Sequence, residues 1–228
     1  MNIPSLLRSL CIVTSLLSVL CEAQQPARRP PNPALAQIQD TPGLPRVLLI
    51  GDSISMGYTL PVREMLAGKA NVHRIPVNGG PTINGVTNME KWLAAGKWDV
   101  IHFNFGLHDL KQDEQGARQV PVAQYEKNLR QLVEQMKKTG AKLIFATTTP
   151  VPEGKLSPMR TDEDVKAYNA AARRVMEEQG VAIDDLYAFA LPQLARIQRP
   201  VNVHFSDDGS RVLAKQVVES ITAALPNK

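Results

Sequence analysis

Four consecutive apolar residues, Val47-Leu48-Leu49-Ile50, run without a polar break into Gly51-Asp52-Ser53-Ile54-Ser55. An alternating strand hides one face, whereas an unbroken apolar run hides both, as a strand inside a parallel sheet covered by helices must. In sheets of that kind ligands bind beyond the carboxyl ends of the strands. The turn at Gly51-Asp52-Ser53 therefore offers a serine hydroxyl at the rim where chemistry is expected. Far downstream, Val203-His204-Phe205 supplies a histidine able to fold back onto that rim. A serine paired with a base is what nucleophilic attack on an ester needs.

From residue 46 onward, short apolar runs alternate with helical patterns. Strands are expected at 46–50, 71–75, 100–105, 142–147 and 181–183. The clearest helix is expected at 122–139, where Tyr125, Leu129, Leu132, Val133 and Met136 recur at three- and four-residue spacing and Gly140 ends the run. A second is expected at about 162–179, closed by Gly180. A last one follows Ser206, with Val212, Leu213, Val217, Val218 and Ile221 on one face and Ser206 or Asp207 as its cap. This alternation predicts an α/β fold, a flavodoxin-like three-layer sandwich of about five parallel strands with helices on both faces. The ~180 residues involved can bury on the order of 70% of the surface their unfolded chain exposes, enough for one self-sufficient core.

The chain upstream reads differently. Arg8, the apolar stretch 10–20 and Cys21-Glu22-Ala23 have the form of an export signal cut after Ala23, making the enclosed protein secreted or periplasmic. The apolar stretch is well short of the roughly 20 residues a spanning helix needs, and the bulky Leu20 argues against lipid modification of Cys21. No integral membrane segment is expected after cleavage. Both cysteines, Cys11 and Cys21, would leave with the signal, which excludes disulfides, a cysteine nucleophile and thiolate metal sites. Residues 24–45 carry six prolines and few large apolar side chains, the pattern of an extended, mobile spacer. The net charge of +4 is scattered, with no basic stripe, so nucleic acid is not an expected partner.

Gly51-Asp52-Ser53-Ile54-Ser55 resembles the first block of the SGNH (GDSL-type) hydrolases, and the likeness extends over most of residues 46–228. The resemblance implies that Ser53 is the nucleophile and His204 its base, and that the amide of Ser53 opens an oxyanion hole. The family's second block gives that hole a glycine amide. The closest candidate is Gly80 in Val77-Asn78-Gly79-Gly80-Pro81-Thr82, with Gly85 as a second. The third block, Gly-x-Asn-Asp in the family, reads Gly106-Leu107-His108-Asp109 here. His108 could donate from a ring N–H in place of the asparagine, provided the tautomer is correct. Asn104 is an alternative side-chain donor. The last block, Asp-x-x-His, reads Val201-Asn202-Val203-His204, so the aspartate that orients the histidine is missing from its slot. A backbone carbonyl, Asp207 or Asp208 would have to replace it. Asp52 is expected to fix the turn, and Asp109 is a further supporting candidate.

Other chemistry-bearing residues read as structural. His73 and His102 lie within expected strands, Trp92 and Trp98 flank the Gly96 turn as packing residues or as part of a sugar-binding rim, and Thr147-Thr148-Thr149 shapes a site wall. No histidine pair has metal-ligand spacing, and no metal or cofactor is expected. The reading that results is an esterase acting on a small ester or an acylated polysaccharide, with deacetylation of polysaccharide as the expected reaction. The alternatives are a lipid or thioester esterase, and a non-catalytic carbohydrate-binding protein on a degraded hydrolase fold, motivated by Val201 and His108 in the family's aspartate and asparagine slots.

Overall fold

The computed structural model describes residues 32–226. The expected export signal and the start of the spacer lie outside the described residues. Five parallel strands, β1 (Arg46–Ile50), β2 (Asn71–Arg74), β3 (Val100–Phe103), β4 (Lys142–Ala146) and β5 (Ala182–Asp184), form one sheet in the order β2-β1-β3-β4-β5. Val47 stands opposite both Val72 and Val100, and Phe103 opposite Phe145, whose ring meets it edge-on. The expected flavodoxin-like sandwich is therefore the observed fold. Residues 47–50 are sealed on both faces, as the unbroken apolar run requires.

Helices α1 (Ser53–Met65) and α7 (Asp207–Ala224) pack together on one face of the sheet. Helices α2 (Thr82–Leu93), α3 (Val122–Lys137) and α4 (Asp162–Gln179) pack in sequence as a second group, while the short α5 (Leu186–Ala190) and α6 (Leu194–Ile197) lie beside α7. Ser206 caps α7 by accepting from the Gly209 amide. Gly180 closes α4 in the left-handed conformation.

β2, β3 and β4 end one or two residues before their expected limits, and at the last two rim side chains take up backbone groups. The Asn104 carboxamide donates to Ala146 O, and Thr147 Oγ1 accepts from the Tyr187 amide. The polar rim so formed is where strand order reverses, between β1 and β3.

The spacer reading is corrected where the structure describes it. Residues 32–45 are a packed strap: Pro33–Leu35 forms a 3-10 turn capped by Asn32, and Ala34 is 2% exposed. Arg63 of α1 donates to Ala36 O, Asn71 exchanges hydrogen bonds with Thr41, and Asp40 pairs with Arg46 and His73. Proline content implied an extended, mobile segment, whereas residues 32–45 include a 3-10 turn and fixed contacts, their carbonyls accepting from Arg63 and Asn71. Among the described residues no helix is long and apolar enough to cross a membrane.

Candidate active site

Asp52 ends the β1 turn and caps α1, its Oδ1 accepting from the Ile54 amide at 2.8 Å. Ser53 is the first helical residue, so its own N–H belongs to the unsatisfied group that every helix start leaves free. Beneath this turn lies Arg74, the last residue of β2. Its guanidinium donates to Gly51 O at 2.8 Å, Asp52 O at 3.0 Å and Ser55 Oγ at 2.5 Å. Burial lowers the Arg74 pKa to about 10, offset in part by Tyr58 and Asp52. A cation among apolar neighbours in a short strand was the sequence signal for this brace, and the reading of motifs passed over it.

His204 arrives from a small hairpin between α6 and α7. Arg199 N donates to His204 O and Ser206 N to Ile197 O, and Gln198 ties the hairpin to Pro150 O. His204 Nε2 lies 2.9 Å from Ser53 Oγ. On the opposite side of the ring, Nδ1 lies 2.8 Å from Asn202 Oδ1, which also accepts from the His204 backbone N–H at 2.9 Å. That second bond turns the carboxamide so that oxygen, not nitrogen, faces Nδ1. The proton is thereby held on Nδ1 and the lone pair of Nε2 faces the serine.

Asn202 was not among the expected orienting groups, and neither Asp207 nor Asp208 bonds the ring. Counting from the family spacing points to Val201, which is 55% exposed and adopts φ 47°, a conformation costly for a β-branched residue. This left-handed step reverses the chain and delivers the next side chain to the histidine. Burial lowers the His204 pKa, with Arg199 and Arg160 acting in the same direction and Asp52 opposing them.

The remaining candidates fall into three groups. His108 shares a cleft of about 370 Å³ with Ser53, Asn78, Arg160, Asn202 and His204. Its Nε2 lies 4.0 Å from Asp52 Oδ2, and burial lowers its pKa. Gly80 lies in a turn held to the end of β1 by Gly79 N donating to Gly51 O, but its own N–H is taken by Asn78 Oδ1 at 3.0 Å. Gly85 is engaged elsewhere: it lies within α2, its N–H directed to Pro81 O at 3.4 Å, and a Cβ there would come 2.7 Å from Phe105.

Asn104 is likewise displaced, since its amide is committed to Ala146 O and it lines a water-sized void beneath Asp52 together with Thr147, Thr148 and Thr149. Asp109 supports from behind. Its Oδ1 accepts from the Thr82 amide and hydroxyl, capping α2 in place of Pro81. Gly106 takes φ 142° and a Cβ there would strike Thr148 Oγ1, so only glycine lets this loop turn.

A second cleft, of about 320 Å³, lies on the other side of Ser53 and His204, lined by Asn32, Met56, Leu60, Arg199 and Phe205. Trp92 and Trp98 line neither cleft. They border a separate cavity with His73 and Arg63, and Arg46 stacks on Trp98 at 4.3 Å. His102 is buried against Asp184 at 2.9 Å. Among the described residues no group of three His, Cys, Asp or Glu side chains could hold a metal ion.

Residues 49–212 match the family model described as the GDSL-like lipase/acylhydrolase family. The chain belongs to that family. This GDSL-like protein is accordingly an ester-bond hydrolase. It is similar in structure to the acetyl xylan esterase AlAXEase, with a TM-score of 0.67, 19% identity, and coverage of 77% of this chain and 99% of the other. A lipase/acylhydrolase from Enterococcus faecalis gives a TM-score of 0.69 at 24% identity, covering 81% and 99%. An acetylxylan esterase from Geobacillus stearothermophilus gives 0.67 at 21%, covering 81% and 97%. No curated protein matches the GDSL-like chain.

Proposed function

We propose that this ester hydrolase is a serine esterase in which Ser53 attacks the carbonyl carbon while His204 Nε2 takes its proton. The observation that carries this reading is the line Ser53 Oγ, His204, Asn202 Oδ1, with contacts of 2.9 and 2.8 Å. Attack forms a C–O bond and moves the carbonyl π pair onto oxygen. The tetrahedral adduct then collapses, His204 returns the proton to the leaving alkoxide, and water hydrolyses the acyl-serine by the same steps. The oxyanion meets the Ser53 N–H and the His108 Nε2–H, and the Gly80 N–H joins them once substrate displaces Asn78. Each such donor is worth about 3 kcal/mol, so His108→Ala should lower kcat by roughly 10² to 10³.

The substrate is proposed to be an acetylated polysaccharide outside the cytoplasm. Asn78, Ser157, Asn202 and Arg160 give the 370 Å³ cleft a polar lining suited to sugar hydroxyls. Two of the similar solved structures are described as acetyl xylan esterases. A second reading has its own support: Met56, Leu60 and Phe205 line the opposite cleft and would suit a longer acyl chain, as in a lipid esterase.

Hydrolysis of p-nitrophenyl esters of increasing chain length, and acetate release from acetylated xylan, separate the two. Preference for acetate with release from xylan supports the deacetylase, and a rate rising with chain length favours the lipid ester. Equal, measurable rates for the native protein and Ser53→Ala would end the serine mechanism. Amino-terminal sequencing of the protein recovered outside the cytoplasm, with Gln24 first, tests the export signal.

A further inference from the structure

An asparagine side chain in the family's third block has an N–H to offer whatever the pH. A histidine must be told which nitrogen carries the proton. In this chain the instruction comes from three residues downstream. Leu110 N donates to Gly106 O and Lys111 N reaches toward His108 O, so the chain winds through one helical turn and brings His108 and Lys111 to the same side. Lys111 Nζ lies 3.0 Å from His108 Nδ1. An ammonium has three N–H bonds and no lone pair, so this contact forms only when Nδ1 is bare and accepts. A neutral ring with a bare Nδ1 carries its proton on Nε2, the nitrogen nearest the Asp52 carboxylate and hence the Ser53 turn.

We propose that Lys111 is a positioning residue of the oxyanion hole, holding His108 neutral with its proton on Nε2. This rests on the reading of His108 as an oxyanion donor given above. Every charged group facing the ring has been brought there by a different element: Asp52 by the β1 turn, Lys111 by the loop after β3, Arg160 by the loop before α4, and His204 by the hairpin. Burial is the largest influence and disfavours the imidazolium, and Lys111, Arg160 and His204 act with it. Asp52 alone opposes them. A neutral His108 also spares His204, because a second imidazolium in the same cleft would weaken the base at the moment it must take the serine proton.

Long-range proton–nitrogen correlation spectra of the full chain, labelled with ¹⁵N in its histidines, test this directly. At pH 7 His108 is expected to show a bare Nδ1 and a protonated Nε2. Lys111→Met should raise the titration midpoint of His108 by about one pH unit. Its kcat should fall about tenfold, and the loss should persist at higher pH, where the neutral ring no longer has its proton directed to Nε2, with KM within about twofold. Lys111→Arg, also donor-only, should restore the midpoint and the profile. A native ring protonated on Nδ1, accepted by a neutral lysine amine, overturns the proposal. So does a Lys111→Met protein whose His108 titration and pH profile match the native ones. His108→Ala separates the two levels of the argument: an undiminished kcat removes His108 from the oxyanion hole and Lys111's role with it, whereas a wrong tautomer in a His108-dependent enzyme removes the role of Lys111 alone.

Discussion

The nucleophile turn and the histidine hairpin meet at one hydrogen bond, yet they are held in opposite ways. Gly51 to Ser55 is braced from a distance: Arg74, about twenty residues on, binds two of its carbonyls and a hydroxyl, and Gly79 N adds a second bond to Gly51 O. The hairpin carrying His204 is braced mostly by itself, through bonds between residues 197 and 206 and a carboxamide two positions before the histidine. Long-range bracing makes the Ser53 turn depend on the integrity of the sheet. Local bracing lets the proposed base, His204, be tuned by substitutions that the core does not feel.

The contrast breaks most visibly at Arg74. Arg74→Met should cost about 3 kcal/mol in chemical denaturation, since carbonyls turned toward a buried cation lose it, and should lower kcat by about 10² as the Ser53 amide loses its fixed direction. A variant with native stability and rate would show that the turn needs no distant brace. Asp109 tests the same long-range side through pH. Burial pushes its carboxyl up to about 7. The folded protein therefore keeps a proton that the unfolded chain loses near pH 4. This stabilisation is full below that range and is lost as pH rises through 7, a change of roughly 2–4 kcal/mol. Melting temperature should fall between pH 5 and 8, and Asp109→Asn should flatten that slope.

Smaller effects are expected in the hairpin. Asn202→Ala should lower kcat roughly 10- to 100-fold while leaving stability within about 0.5 kcal/mol, because the ring loses its orienting acceptor and the core loses nothing. Asn202→Asp sharpens the point. The His204 pKa is lowered by burial, so the acid limb of kcat/KM lies below the ordinary histidine range. A carboxylate on Nδ1 favours the imidazolium and should move that limb to higher pH. Val201→Gly should have the least effect, within about 1 kcal/mol of native stability, as relief of the left-handed strain is offset by the freer unfolded chain.

What was legible in the sequence follows the same division. The sheet could be read because residues 47–50 need burial on both faces, and Ser53 and His204 because the motif blocks keep their order. Arg74 was harder to read: a cation in a short strand signals that something must bind it, but its partners, Gly51 O, Asp52 O and Ser55 Oγ, form no motif of side chains. Asn202 was hidden for a different reason: the spacing argument assumes a chain that does not reverse, and the positive φ of Val201 shifts the effective slot by one residue. Helix α1 escaped notice because it starts on the nucleophile itself and contains Pro61, which interrupts the usual helical signal. The strap at 32–45 was misjudged because composition reports what a segment can bury of its own, not what its carbonyls offer to arginines elsewhere.

That strap has a wider consequence. Asn32 and Ala34 stand in the wall of the cleft beside Ser53, although the first strand of the sheet begins only at Arg46. Part of the substrate's surroundings is thus contributed by a segment laid over the finished domain. A lineage could rewrite selectivity there by exchanging a few residues of the strap, with the sheet, the nucleophile turn and the histidine hairpin left as inherited.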